Sequence, residues 1–367
     1  MRKKLAILTN LIAPSRIPIY LGLGEAFEIL VAIGKPESNR SEWSLLDQEL
    51  SSAGVKVEVA SGKTFTLSET RFLQINPGYF RILFREKPDA VITIELGFRT
   101  IVAYFYTKVK NKPLWIWWAG TPHSERALWG IRDWVRHYFA KKNVRWISYG
   151  LESTRYLASL GVPENRILQI QNGVDEKRFT ALGACAAEAL ERPLLLVVGQ
   201  LIERKGLEPL LQAAKRLQER GSVFTLRFVG SGPRRPMLER CVEELKIRNV
   251  QFIGGISPGE IPAHYRSADA LVFPTLEDVW GLVANEALLC GTPVICSKYA
   301  GCASELLDPD DIFDPLNEGD FDRALSRAIS GQVKPPAPER IWPIERVTET
   351  LRLDIEKTIT ERERTRS

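Results

Sequence analysis

The sequence predicts an α/β protein of two doubly wound domains facing each other across a cleft. Three observations carry that expectation. Short apolar runs alternate with segments of helical period, the pattern of parallel strands covered by helices on both faces. The series lapses after residue 172 and restarts at Leu194, which divides the chain in two. The 367 residues, 44% of them apolar and 26% charged, suffice for about two soluble domains and exclude disordered, collagenous and coiled-coil architectures.

In the first half the expected strands are Leu5 to Leu8, Ile29 to Ile33, Val55 to Val59, Ala90 to Ile94, Leu114 to Trp118 and Val144 to Ser148. The first follows Met1-Arg2-Lys3-Lys4 and so has the charge order of a secretory signal. Thr9 and Asn10 interrupt its apolar run, and Pro14-Ser15-Arg16 is a poor cleavage site, so it reads as a buried strand. Lys108, Lys110, Lys112 and Pro113 break the aromatic stretch from Ile101 to Gly120, which therefore cannot cross a bilayer as one helix. The second series of strands is Leu194 to Val198, Thr225 to Val229, Val250 to Ile253, Ala270 to Phe273 and Pro293 to Cys296. Between its first two strands, Leu207, Leu210, Leu211, Ala214 and Leu217 mark one apolar helix face. The expected division is an N-terminal domain over 1–172, an alanine-rich linker over 173–193, a C-terminal domain over 194–342, and a charged helix within 343–367. That last helix either stays solvated or crosses back onto the first domain. In a doubly wound pair, ligands are expected in the cleft at the carboxyl ends of the strands.

The net charge of +5 conceals an asymmetry: residues 1–172 hold 24 Lys and Arg against 15 Asp and Glu, the remainder 26 against 30. The basic half is the one expected to meet an anionic surface. Five cysteines, an odd count with no CxxC pair, argue against a disulfide framework and a zinc site and fit a reducing cytosol. His123, His137 and His264 are scattered, so no metal site and no cofactor is expected unless the substrate brings a metal.

The most informative window is Phe273 to Leu288: a strand end, a loop bearing Glu277 and Asp278, then a helix from about Gly281. Free N–H groups at Leu282 and Val283 would sit at the positive end of that helix, suited to phosphate oxygens. Glu286, one turn in, would be held ionised by the dipole and suits vicinal hydroxyls such as those of a ribose. Asp278 suits the hydroxyls of a second sugar, or else merely caps the helix. A second anion feature is Val198 to Gly206, where Arg204 and Lys205 stand just before another helix and Lys205 could meet a diphosphate. Gly230-Ser231-Gly232-Pro233 closes the next strand but lacks the full GxGxxG, so a dinucleotide dehydrogenase is poorly supported.

These residues together resemble a known family. Gly199-Gln200-Leu201 to Lys205-Gly206, Val229-Gly230-Ser231-Gly232-Pro233, Ala268-Asp269-Ala270, Asp278 to Glu286 and Cys290-Gly291-Thr292-Pro293-Val294 are similar to the donor domain of family 4 glycosyltransferases. The likeness covers about residues 193 to 310. The first half resembles the acceptor domains of members that build bacterial surface polysaccharides, through Leu8-Thr9-Asn10 to Arg16-Ile17-Pro18 and Trp118 to Arg126. The resemblance implies the GT-B fold, with two Rossmann-like domains, and a hexosyltransferase that retains the anomeric configuration. It places the family's paired acids, E-x7-E, on Asp278 for the transferred hexose and Glu286 for the ribose. It gives the diphosphate to Lys205, Arg204, Gly281, Leu282 and Val283, with Gly230 beside them. Many members have Arg where Gln200 stands, which leaves the leaving-group charge to Lys205. The family's glycine-rich first loop is missing, so Arg16 would serve the donor phosphate or the acceptor. His123 falls where many members place a histidine facing the sugar.

The implied partners are a nucleotide sugar as donor, a glycan or lipid-linked acceptor, and no nucleic acid. The segment from Arg126 to Trp146 carries Arg126, Arg132, Arg136, Lys141, Lys142 and Arg145 with Trp129, Trp134, Tyr138, Phe139 and Trp146 interleaved. Such a segment either lies on an anionic membrane, which would put the protein at the cytoplasmic face, or packs its aromatics on the sheet. The rival functions are a GT-B epimerase or phosphorylase, and a silent nucleotide-sugar-binding or scaffold subunit.

Overall fold

The computed structural model describes residues 2–34, 50–68, 71–126, 130–180, 190–335 and 338–365. The chain divides into two units: unit 1 joins Met1–Gln171 to Pro343–Ser367, and unit 2 is Asn172–Trp342.

Unit 1 is built on a seven-stranded sheet of order β3-β2-β1-β6-β7-β8-β9. The strands are β1 (Lys4–Thr9), β2 (Glu28–Ile33), β3 (Lys56–Val59), β6 (Ala90–Ile94), β7 (Leu114–Trp118), β8 (Arg145–Tyr149) and β9 (Ile167–Ile170), every pairing parallel. The run after Met1 is thus a central strand, with Leu5 to Leu8 fully buried. Unit 2 repeats the plan with six strands in the order β12-β11-β10-β13-β14-β15. These are β10 (Leu194–Val198), β11 (Thr225–Val229), β12 (Val250–Gly254), β13 (Ala270–Phe273), β14 (Val294–Ser297) and β15 (Ile312–Phe313), again all parallel. In both sheets the strand order reverses beside the first strand, leaving a switch point between β1 and β6 and another between β10 and β13. Helices cover the faces; Leu207, Leu210, Leu211, Ala214 and Leu217 of the helix Leu207–Glu219 are buried against β10 and β11, as their spacing predicts.

Three features escaped the sequence reading. An antiparallel hairpin, β4 (Lys63–Ser68) with β5 (Arg71–Ile75), stands apart from the main sheet. β9 is a half-buried edge strand and β15 only two residues long, so neither leaves the continuous apolar run of a central strand. The stretch 173–193 is not simply a linker. Its helix Glu176–Thr180 belongs to unit 2, where Phe179 is buried with its ring centroid 6.4 Å from that of Tyr265. Arg266 also donates to the Phe179 carbonyl at 3.3 Å, and composition reveals neither contact.

The terminal helix Ile344–Arg364 packs in unit 1. Val347, Leu351, Ile355 and Ile359 line one buried stripe along it. Asp354 accepts from Trp115 Nε1 at 2.8 Å and from Arg145, which ties the helix to β7 and β8.

Candidate active site

In unit 2 the predicted residues gather on loops leaving β10 and β13, the strands that flank the switch point, and β11 next to them. The loop after β10 is held to the loop after β11 by main-chain bonds, Gly199 N to Val229 O at 3.0 Å and Leu201 N to Ser231 O at 2.9 Å. Gly230 makes this approach possible, because with φ of +140° its added Cβ would lie 1.9 Å from the Gly199 carbonyl oxygen. The role of Gly230 is therefore to let two loops touch.

The loop after β13 is tied to the same structure. Leu276 N donates to Arg204 O at 2.8 Å, and the fully buried Thr275 hydroxyl donates to that carbonyl at 3.0 Å. This brings Lys205 Nζ to 2.6 Å from Asp278 Oδ2, with both side chains about 15% exposed. Arg204 is half exposed; it donates to Glu277 O at 3.1 Å and stands 3.9 Å from Asp278 Oδ2. Asp278 is fixed further by its Oδ1, which accepts from Trp280 N at 3.2 Å, and by main-chain bonds to Tyr299 and Gly301. It does not cap the helix, whose N-cap is Gly281.

Gly281 has φ of +103°, and a Cβ there would come within 2.3 Å of the Phe273 ring. The helix Leu282–Leu289 follows, so the N–H groups of Leu282 and Val283 precede its first internal bonds and point from its positive end. Trp280, buried beneath the loop, donates from Nε1 to Asn285 Oδ1 at 2.8 Å and pins the turn to the helix. Glu286 accepts from the Tyr265 hydroxyl at 2.7 Å. Burial raises its carboxyl above the usual range, against the opposing pulls of Tyr265 and Arg178. Burial thus acts on Glu286 against the ionised form that the helix dipole favours. Tyr265 is the residue missed: it lies at the end of the short helix Ile261–Ser267, and only the fold brings it under Glu286.

In unit 1, Arg16 ends the short turn Pro14–Arg16 after β1, with its guanidinium carbon 4.2 Å from the Trp117 ring centroid and 5.2 Å from that of Tyr149. His123 is half-buried on the loop after β7, in a turn braced by reciprocal bonds between Thr121 and Ser124 of 2.9 and 3.1 Å. Among the described residues no three of His, Cys, Asp and Glu cluster as metal ligands would. Cys241, Cys290, Cys296 and Cys302 are free thiols, and Cys185 lies outside the described residues.

The basic aromatic segment is divided by the fold. Trp129 lies outside the described residues. Arg136, counted as a surface cation, is buried over the Trp118 ring at 5.1 Å and paired with Glu125. Burial pushes the Glu125 carboxyl up, while Arg136 pulls it back. Phe139 and Trp146 are core, and Arg145 belongs to the Asp354 contact. What remains outward on the helix Ile131–Ala140 is Ile131, 77% exposed, and Trp134, 62% exposed, beside Arg132 and Lys141. Among the described residues no helix is long and apolar enough to cross a membrane.

Known proteins resemble this chain in sequence and in fold. Residues 186–341 match the family model for Glycosyl transferases group 1. Over 169 residues the chain is 31% identical to the GDP-mannose-dependent alpha-(1-6)-phosphatidylinositol monomannoside mannosyltransferase of Mycolicibacterium smegmatis, covering 42% of this chain and 44% of that protein. Over 152 residues it is 36% identical to the D-inositol 3-phosphate glycosyltransferase of Corynebacterium urealyticum, covering 37% and 36% respectively. The chain thus spans less than half the length of these curated relatives. Among solved structures, Anabaena Alr3699/HepE in complex with UDP superposes with a TM-score of 0.71 at 17% identity, over 98% of both chains. Two parallel α/β units with this likeness are the GT-B fold, and over residues 186–341 the chain is similar to the group 1 glycosyl transferases.

Proposed function

We propose that this protein transfers a hexose from a nucleotide-diphosphate sugar to a glycan or lipid-linked acceptor, with retention of the anomeric configuration and without a cofactor, in the assembly of a surface polysaccharide. The observation that carries the reading is the convergence of Lys205, Asp278 and the start of the helix Leu282–Leu289 on loops beside one switch point. In this reading the N–H groups of Leu282 and Val283 take the diphosphate, and Glu286, oriented by Tyr265, accepts from the ribose hydroxyls. Asp278 exchanges part of its contact with Lys205 for sugar hydroxyls, and Lys205 meets the charge that grows on the leaving oxygen. Fixed donors of this kind act on developing charge without reorganisation. The acceptor proton passes to the leaving phosphate on the same face of the sugar.

Relatives and structural neighbours support both a GDP-linked and a UDP-linked donor, since one relative is GDP-mannose-dependent and one neighbour is solved with UDP and glucose. The test is incubation of the purified chain with UDP- and GDP-hexoses and a panel of acceptors, following nucleoside diphosphate release and the product anomer by NMR. Transfer with retention is expected. Binding of a nucleoside diphosphate with no turnover on any acceptor would identify a silent binding subunit, and an inverted product would overturn the same-face mechanism.

A further inference from the structure

Unit 1 contains a polar cluster that the donor chemistry does not use. Arg16 is half-buried between the rings of Trp117 and Tyr149, whose centroids are 5.6 Å apart. Among the described residues it has no carboxylate partner, and its Nη1 is buried without a hydrogen bond. The hydroxyls of Tyr20, 0% exposed, and Tyr149, 3% exposed, face the Arg16 guanidinium and, among the described residues, have no acceptor for their own hydrogens. The guanidinium lies close enough to both phenols that its charge draws their titration down, while burial, the larger effect, raises both and keeps them protonated.

The donor count decides what such a cluster accepts. A guanidinium only donates, so each phenol that accepts from it still has its own hydrogen to place. A half-buried cation without a counter-charge, flanked by two buried O–H donors, calls for oxygen acceptors bearing negative charge. Glu95, the acid whose charge reaches Tyr149, is 61% exposed and stands 3.6 Å from Arg99, so it does not neutralise Arg16. Tyr149 ends β8, Trp117 lies near the end of β7 and Arg16 follows β1, which puts the cluster at the carboxyl edge of the sheet, where doubly wound folds bind ligands.

We infer that unit 1 holds an oxyanion subsite, formed by Arg16, Tyr20 and Tyr149, that takes the phosphate or carboxylate of the acceptor. The word acceptor rests on the proposed glycosyl transfer; the anion site does not. The test is calorimetric titration of the full chain, saturated with UDP or GDP so that phosphate sites in unit 2 are filled, first with inorganic phosphate and separately with D-glucuronate. At least one anion is expected to bind, and preference between them distinguishes a phosphorylated from an acidic-sugar acceptor. Y20F and Y149F, which remove one oxygen each, should weaken binding about 3- to 10-fold, and R16Q more than about tenfold. Nucleoside diphosphate affinity should stay unchanged in all three. Equal anion affinity in Y20F, Y149F and the parent, or binding of neither anion, would overturn the subsite. Loss of nucleoside diphosphate affinity in R16Q would assign Arg16 to the donor and overturn the acceptor role. Failure of glycosyl transfer would leave the anion titration intact, so the two readings fail separately.

Discussion

In unit 2, Lys205 and Asp278 are held 2.6 Å apart by loops joined largely through main-chain atoms: Gly199 to Val229, Leu201 to Ser231, Leu276 to Arg204. In unit 1, Arg16 is held by the rings of Trp117 and Tyr149, and Arg136 by Trp118 and Glu125. The first kind of site is set by where the backbone can go, and its essential residues are glycines as much as charges. The second kind is set by side chains packed across strands, each resting on a partner distant in sequence. A backbone-built site should lose its geometry when a glycine is replaced and only its chemistry when a charge is replaced. A side-chain-built site should lose stability and chemistry together.

The largest expected effect lies in unit 1. Arg136→Gln leaves Glu125 buried without its partner and should cost about 3 to 5 kcal/mol of stability, whereas Arg132→Gln, on the exposed face of the same helix, should stay within about 0.5 kcal/mol. Denaturant unfolding measures both, and equal stability of the two variants would show that the Glu125 pair is not what seats this helix.

Next comes Gly230→Ala, where a Cβ meets the Gly199 carbonyl oxygen and the backbone φ is positive. A loss on the order of 3 kcal/mol is expected from the combined clash and strain. A variant as stable as the parent, with unchanged nucleoside diphosphate binding, would erase the contrast between the two kinds of site.

Lys205→Ala tests chemistry on an intact scaffold. Single-turnover transfer should fall roughly a hundredfold with donor affinity little changed, because the charge that Lys205 meets grows as the bond breaks. A rate equal to the parent would remove it from the leaving-group role.

Glu286→Ala should weaken nucleoside diphosphate binding by about 1.5 to 3 kcal/mol, and Tyr265→Phe, which only frees Glu286 to reorient, by about 1 kcal/mol. Calorimetry that finds Tyr265→Phe the more damaging would mean that the tyrosine touches the nucleotide itself.

The smallest effect is at the surface. Replacing Arg132 and Lys141 with Gln should reduce binding to anionic vesicles by about 1 kcal/mol per charge, fading as salt rises. Equal sedimentation of parent and variant at low salt would return the exposed Trp134 face to simple solvation.

Much of this was legible in one dimension. The strands β10, β11 and β13 were readable to the residue from continuous apolar runs, and the places of Lys205, Asp278 and Glu286 relative to strand and helix ends were readable with them. Both depend on local physics: a strand buried on two faces must be apolar along its length, and a helix start is marked by the loop just before it. What could not be read was any pairing between distant segments. Arg136 looked like one more surface cation because nothing near it in sequence shows Glu125 turning inward to meet it. Phe179 looked like part of a linker because the tyrosine it rests against comes more than eighty residues later.

The sequence alone therefore determined the alternation of strands and helices, the two-domain plan, and which loops carry charge beside a helix start. Only the tertiary structure decided that Lys205 faces Asp278, that Tyr265 supports Glu286, that the last helix belongs to unit 1, and that Arg16 lies among buried phenols with no carboxylate partner among the described residues. The reason is physical: periodicity and termini are properties of neighbouring residues, whereas desolvation and ion pairing depend on what the folded chain places alongside, which no local window contains.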